Sequence, residues 1–458
     1  MDSAQKKNDI YNFLKLYMTR IYLSVALLFA MLFGDVGIRP CASQTVPLTV
    51  DSLFRLIDER SRTIKLKSLS IDDADEGAGA ARSRRLPSIG ASLSVGYLGN
   101  GYLTDRDFSD GMNVRNPHSK NDFAIEAMQV IYSGGAVSGG IRMAELNARM
   151  ARLDMEQSRQ QVRFLFLGWL IDLQCLGNRS RVLDENTALA RKVLADMQAR
   201  YDEGVVLKSD ITRYELQVQD LLLQRDKVEE ALRTTNYRMA NALGFPAGST
   251  TFVPELGRDD ARQDIAPESL WQEKALASSM AIKKAELGMD ISETNRRLVA
   301  ADKRPKLSLF AYGVFNSPIV TEVPVIDKNF MYWGFGASLS FNISSLYTNT
   351  HRERQARVAV MESREAYDLS RENVRNDVEA AYEAWQTAAA ELRTQEKSLE
   401  LARQNYDIVS DRYTNGMALI TDMVDAANVR LSAELGLENA RTMLLFAGYK
   451  LKYVTNTL

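Results

Sequence analysis

Hydrophobic positions along this chain keep a helical period over long stretches, break into strict alternation, and then repeat the whole sequence of changes. Over 48–85, Leu53, Leu56, Ile57, Ile64, Leu66 and Leu69 recur among charged residues. That spacing predicts one amphipathic helix, capped by Thr49 or Asp51 and stopped before Pro87. The period then falls to two. Ile89, Ala91, Leu93, Val95 and Tyr97 alternate with Ser88, Gly90, Ser92, Ser94 and Gly96, so a strand is expected over 87–99 with one apolar and one polar face. After a polar stretch rich in Gly, Asp and Asn, a second alternating strand is expected over 121–132, with Phe123, Ile125, Ala127 and Ile131 on one face. Tyr132-Ser133-Gly134-Gly135 marks the return to helix. The segment 137–202 contains no proline and keeps a helical apolar period, which predicts a helix roughly 98 Å long. A shorter one over 209–243 carries Ile211, Tyr214, Val218, Leu221, Val228, Leu232 and Met239 at coiled-coil spacing and ends at Gly244-Phe245-Pro246.

The same unit is then written again. Arg200-Tyr201-Asp202-Glu203-Gly204 and Arg412-Tyr413-Thr414-Asn415-Gly416 lie 212 positions apart, as do Asp210 and Asp422, and Tyr237 and Tyr449. Ahead of the strands the offset is 218, from Ile64 to Ile282 and from Pro87 to Pro305. The organisation expected is therefore a first repeat over 45–246, an irregular polar linker over 247–266, and a second repeat over 267–458. In the second repeat, helices are expected over 268–302, 350–413 and 421–453, and strands over 305–316 and 330–343. Trp333, Phe335, Ala337, Leu339 and Phe341 share one face of the last strand.

Composition narrows the classes. With 45% hydrophobic and 25% charged residues the chain has the balance of a folded protein, and a net charge of -2 without a basic cluster gives no reason to expect nucleic acid. Two cysteines and two histidines leave little scope for metal or thiol chemistry. No cofactor is expected. Lys6, Lys7, Lys15 and Arg20 precede an apolar run over 21–33, and Ala42-Ser43 follow, so residues 1–44 read as a secretory signal peptide, with Met18 an alternative start. Cys41 leaves lipidation open, although Ile38-Arg39-Pro40 lack the small residue that a lipoprotein cleavage site wants.

Four alternating strands cannot close a barrel, and open strand edges cannot face lipid, because each unpaired backbone group costs several kcal/mol there. Either the strands form a soluble sheet on helices, or several subunits share one barrel. The duplicated unit, the paired Arg-Tyr-x-x-Gly turns, Gln129-x-Ile131-Tyr132-Ser133-Gly134-Gly135 and Leu243-Gly244 together resemble the TolC family of outer-membrane efflux channels. The resemblance spans essentially 45–458. It implies a mainly α fold joined to a transmembrane β-barrel: a homotrimer with a twelve-stranded barrel in outer-membrane lipid and a long α-barrel in the periplasm. It also implies an exit duct working with a periplasmic adaptor and an inner-membrane pump. The rival is a periplasmic adaptor or scaffold with coiled-coil hairpins, which would carry soluble β-domains instead.

Candidate residues follow the turns. Gly204 and Gly416 suit a left-handed helix terminus. The resemblance adds that Arg200, Tyr201, Gly204, Arg412, Tyr413 and Gly416 form the tip that meets the adaptor. Asp422 and Asp425 share one helix face and complement the positive helix end. By resemblance, they are the pair that constricts the channel entrance; the first repeat keeps Asp210 but has Arg213 in place of Asp425. Trp169, Tyr382 and Trp385 are read as packing residues, and Tyr332 and Trp333 as a membrane-interface belt. His118 is expected to be solvated in a polar connection. No nucleophile, base and orienter set and no phosphate-binding loop is present, so an enzyme is not expected.

Overall fold

The computed structural model describes residues 44–246, 248, 250–256 and 266–458; the signal peptide expected over 1–44, with Met18 and Cys41, lies outside them but for Gln44. The first repeat comprises β1 (Gln44–Leu48), α1 (Val50–Arg60), α2 (Arg62–Ser83), β2 (Ser88–Tyr97), β3 (Gly101–Leu103), β4 (Met112–Val114), β5 (Ser119–Tyr132), α3 (Ala136–Asp202) and α4 (Lys208–Ala242). After β6 (Thr250–Pro254) come α5 (Glu268–Ser278), α6 (Met280–Ala301), β7 (Lys306–Ser317), β8 (Phe330–Ser340), α7 (Ser345–Thr348), α8 (Thr350–Thr414) and α9 (Ile420–Val454).

The two long helices, α3 at 67 residues and α8 at 65, each span about 100 Å. Short helices pack along them in series. Helix α2 and then α4 lie on α3, while α6 and then α9 lie on α8, and α3 also contacts α6 and α9. The result is a layer of helices joined at its middle, with α2 and α4 along one lateral edge and α8 along the other. The cores are correspondingly strung out rather than central. One holds Phe166, Leu170 and Leu173 of α3 against Leu53, Ile57, Ile64 and Met239. Its counterpart in the second repeat holds Val374, Val378 and Ala381 against Ala275, Ile282 and Leu451. Trp169 and Trp385 pack at the margins of such clusters.

Two expected helices are broken. Ser61 is extended (φ -64°, ψ 121°) between α1 and α2, and Ser279 (φ -53°, ψ 125°) separates α5 and α6. They are again 218 positions apart. In both, the backbone bonds continue across the break: Ser61 N–H donates to Ile57 O at 2.9 Å, and Ser279 N–H to Ala275 O at 2.9 Å. A single extended residue thus bends the rod and keeps its bonds, so that Ile57 and Ile64 both reach one core. Serine offers the backbone a local side-chain partner, as at Ser279, whose hydroxyl accepts from Ile282 N–H.

The stretch 247–266 is not wholly irregular. Within it β6 pairs in parallel with β1, from Gln44↔Thr250 to Leu48↔Pro254. Asn236 of α4 holds β6, donating to Thr250 O at 2.7 Å and accepting from Phe252 N–H at 2.8 Å. Phe252 is buried with Leu48. The Thr-Thr-Phe-Val-Pro run is short and ends in proline, which hid it among polar neighbours.

The four alternating strands form one antiparallel sheet in the order β2-β5-β7-β8. The β5–β7 pair joins the two repeats, from Asn121↔Ser317 to Tyr132↔Leu307. Edges β2 and β8 have no strand partner among the described residues. Ile89, Leu93 and Val95 on β2 and Trp333, Phe335 and Leu339 on β8 are each at least 71% exposed, an outward apolar face. The other face carries Ser92, Ser94, Asp122, Glu126 and Ser338. Tyr332 belongs to that polar face, not to a belt beside Trp333: adjacent strand residues point oppositely, and its ring contacts Tyr312 and Phe330. His118 is exposed in its polar connection, as expected, and is also held there. It stacks on Tyr97 at 4.9 Å, and its Nδ1 lies 2.9 Å from Leu98 O.

Gly134 (φ 67°) and Gly135 (φ 97°) turn the chain from sheet to helix. Arg304 packs into this elbow and donates to Gly134 O at 2.9 Å; a Cβ at Gly134 would come within 2.5 Å of the Arg304 Cβ. No helix of the described residues is long and apolar enough to cross a membrane.

Candidate functional site: the helical tip

At the end of the rods remote from the sheet, the two repeats make two turns of the same form. Gly204 (φ 78°) and Gly416 (φ 72°) sit in the left-handed region. Val205 N–H donates back to Arg200 O at 2.9 Å, and Met417 N–H to Arg412 O at 2.8 Å. Each turn therefore closes by the six-to-one bond that satisfies the last helix carbonyls when the following residue is left-handed. Neither glycine has another atom within 4 Å of where a Cβ would stand, so conformation alone requires glycine there.

The turns lie side by side. Arg200 Nη1 donates to Thr414 O at 3.1 Å, tying the first tip to the end of α8. Beneath them Met197, Ile211, Tyr214, Tyr406, Ile420 and Met423 form one buried cluster. Equivalent tyrosines differ: Tyr201 is exposed, whereas Tyr413 packs against the cluster and its hydroxyl is buried without a partner among the described residues. Burial raises the Tyr413 phenol above its ordinary range, helped by the Asp210 carboxylate and opposed by Arg200. Burial likewise raises Tyr214 and Tyr406. Arg412 and Arg213 are exposed.

Asp422 is in the first turn of α9, where its Oδ2 accepts from Leu419 N–H at 3.1 Å. It therefore satisfies an unpaired helix-start donor and complements the helix dipole. Asp425 is exposed one turn on. Asp422 and Asp425, three positions apart on α9, share one face of that helix.

Residues that sequence reasoning passed over complete the tip. Val205, Leu207, Met417 and Leu419 are 63–71% exposed. They are equivalents at the 212 offset, Val205 to Met417 and Leu207 to Leu419. That offset is the signal in the sequence that pairs them. Four bare apolar side chains at one small tip are unusual for a surface that stays in water.

A short way up the rods two buried carboxylates lock helices together. Glu434 of α9, 8% exposed, accepts from Asn186 Nδ2 of α3 at 2.7 Å, Arg430 Nε at 3.2 Å and Arg403 Nη2 of α8 at 3.3 Å. Glu438 accepts from Asn178 Nδ2 at 2.8 Å and Arg441 Nη1 at 2.6 Å. No cluster of metal-ligating side chains occurs among the described residues.

Known proteins share this architecture. The chain is similar in structure to CusC (TM-score 0.75, 13% identity, 89% of this chain and 91% of that one). It is similar also to the outer membrane protein VceC of Vibrio cholerae (TM-score 0.73, 12% identity, 89% and 95%). The Campylobacter jejuni CmeC outer membrane channel gives a TM-score of 0.73 at 14% identity over 89% and 85%. At such identities the likeness shows the fold. No curated protein matches the sequence. The sequence matches the model of the outer membrane efflux protein family over residues 53–245 and 271–456, the greater part of both repeats. The chain is a member of the outer membrane efflux protein family.

Proposed function

We propose that three copies of this chain assemble into the outer-membrane exit duct of an efflux pump, with the sheets closing one barrel and the rods an α-barrel in the periplasm. The observation that carries the reading is the four-stranded sheet with an apolar outward face and two unpaired edges at one end of 100 Å rods. Such a sheet is unsuited to water and unable to sit alone in lipid. Joining β8 of one copy to β2 of the next removes every edge and leaves the apolar face to the membrane. A soluble adaptor would gain nothing from that face.

At the other end, the tip is read as the adaptor-docking surface. Arg200, Tyr201, Gly204, Arg412, Tyr413 and Gly416 build it, and Val205, Leu207, Met417 and Leu419 give it an apolar contact. Asp422 and Asp425 are read as the entrance constriction. Six carboxylates around a narrow opening, at separations of about 8 Å, repel pairwise by roughly 2 kcal/mol at an effective dielectric of 20. Such a ring favours cations and resists anions. The test is single-channel recording of the purified protein in a planar bilayer. The parent should be cation-selective and blocked by multivalent cations, and Asp422→Asn with Asp425→Asn should lose both properties while conducting. Unchanged selectivity in the double variant would confine the aspartates to helix capping.

A further inference from the structure

A row of aromatic rings climbs the polar face of the sheet. Phe310 and Tyr312 stack with centroids 6.2 Å apart, Tyr312 meets Tyr332 edge-on at 6.1 Å, and Tyr332 continues to Phe330 at 5.2 Å. The lower two rings lie over glycines on β8. A Cβ on Gly334 would stand 2.7 Å from the Tyr312 hydroxyl oxygen, and one on Gly336 would stand 2.8 Å from Phe310 Cζ. Beside the row, on β5, Glu126 is in register with Tyr312 and Met128 with Phe310. Next along, β2 places Gly90 opposite Glu126 and Ser88 opposite Met128.

With so little bulk on β2, a groove of about 490 Å³ opens along these residues. The Glu126 side chain lies in it exposed and makes no hydrogen bond or ion pair with another described residue. Asp122, two steps along the same face, is by contrast paired with Lys120 at 3.1 Å. A lone carboxylate next to a thioether and a ring face offers positive charge and flat apolar surface a joint partner.

We propose that this groove binds planar aromatic monocations in transit, the charge on Glu126 and the ring system against Tyr312 and Phe310. The proposal rests on the exit-duct reading, in which this face lines the lumen. A cation gains from both groups, a neutral ring from stacking alone, and an anion is repelled. Each group is half in water, so the site is weak, as a duct requires of a cargo that must leave.

The test uses the full-length protein in detergent, titrated with ethidium as the cationic probe and with uncharged phenanthridine as the neutral one. Glu126→Gln should weaken ethidium binding about fivefold, the upper range for an exposed ion pair, and leave phenanthridine unchanged. Tyr312→Leu should weaken both, by about threefold. Conductance of each variant in a planar bilayer is recorded in parallel. Parent-like ethidium binding by a conducting Glu126→Gln variant would overturn the proposal. Absence of conductance from the parent itself would instead overturn the duct reading beneath it.

Discussion

At the scale of the residue, the tip depends on two backbone torsions. Gly204 and Gly416 have open space around the missing Cβ, so a substitution there meets strain and no clash. Gly416→Ala should therefore cost about 1–2 kcal/mol, the ordinary penalty for an L side chain in the left-handed region. Gly416→Asn should cost less, because asparagine visits that region readily. The chain already does this: Asn456 (φ 56°) ends α9 where Gly244 (φ 73°) ends α4, 212 positions earlier. Thermal unfolding of the three proteins checks the order, and an alanine variant as stable as the parent would remove the argument. These glycines were legible in the sequence because their conformational demand is local. Tyr332 was misread although its own strand alternation assigned it, since its neighbour Trp333 invited a chemical analogy. The exposed Val205, Leu207, Met417 and Leu419 were missed because hydrophobic residues beside a helix start are ordinarily taken as core.

At the scale of the element, the long rods were legible from periodicity alone, since a helical apolar repeat without proline leaves few alternatives. The bends at Ser61 and Ser279 were not, because no proline or glycine marks them. They follow from how α1 and α5 must lean to keep Ile57 and Ala275 in cores contributed mainly by other segments. Strand β6 was hidden for a similar reason: its partner β1 lies some two hundred residues away. The interhelical locks were equally invisible, since Glu434 reads as a surface acid until Asn186, Arg403 and Arg430 surround it. Glu434→Ala should cost about 3 kcal/mol, because it strands a buried amide and an arginine cluster evolved to face a charge. Melting of the purified protein measures this, with Glu400→Ala, an exposed acid paired with Lys397, as the control. Equal melting temperatures for the two variants would show that the lock contributes nothing.

At the scale of the whole molecule, the lateral edges of the helical layer are apolar. Leu66 and Leu69 of α2 and Leu216 and Leu223 of α4 are more than half exposed along one edge; Leu369, Leu401 and Ile408 of α8 are so along the other. Leu216 and Leu223, and Leu401 and Ile408, are each seven apart, the spacing of a coiled-coil seam. If copies assemble edge to edge, these residues become core. Leu401→Glu with Ile408→Glu should then abolish the trimer while leaving the helical circular dichroism of the chain intact, since neither side chain is buried in the single copy. Light scattering of the detergent-solubilised protein reads the mass. A trimer that survives both charges would place the contact elsewhere.

The seam between β5 and β7 has a consequence in time. It joins Asn121 to Ser317, so the centre of the sheet cannot zip until most of the polypeptide has been made. Pairings between residues so far apart in sequence form late, after nearby ones have repaid their cost. The rods, whose contacts are largely along a single repeat, gather first and bring the two hairpins to the same end. The repeat thus sets a schedule as well as a shape: by this topology the apolar face of the sheet is the last part to be completed, which shortens the interval in which it stands exposed and unfinished.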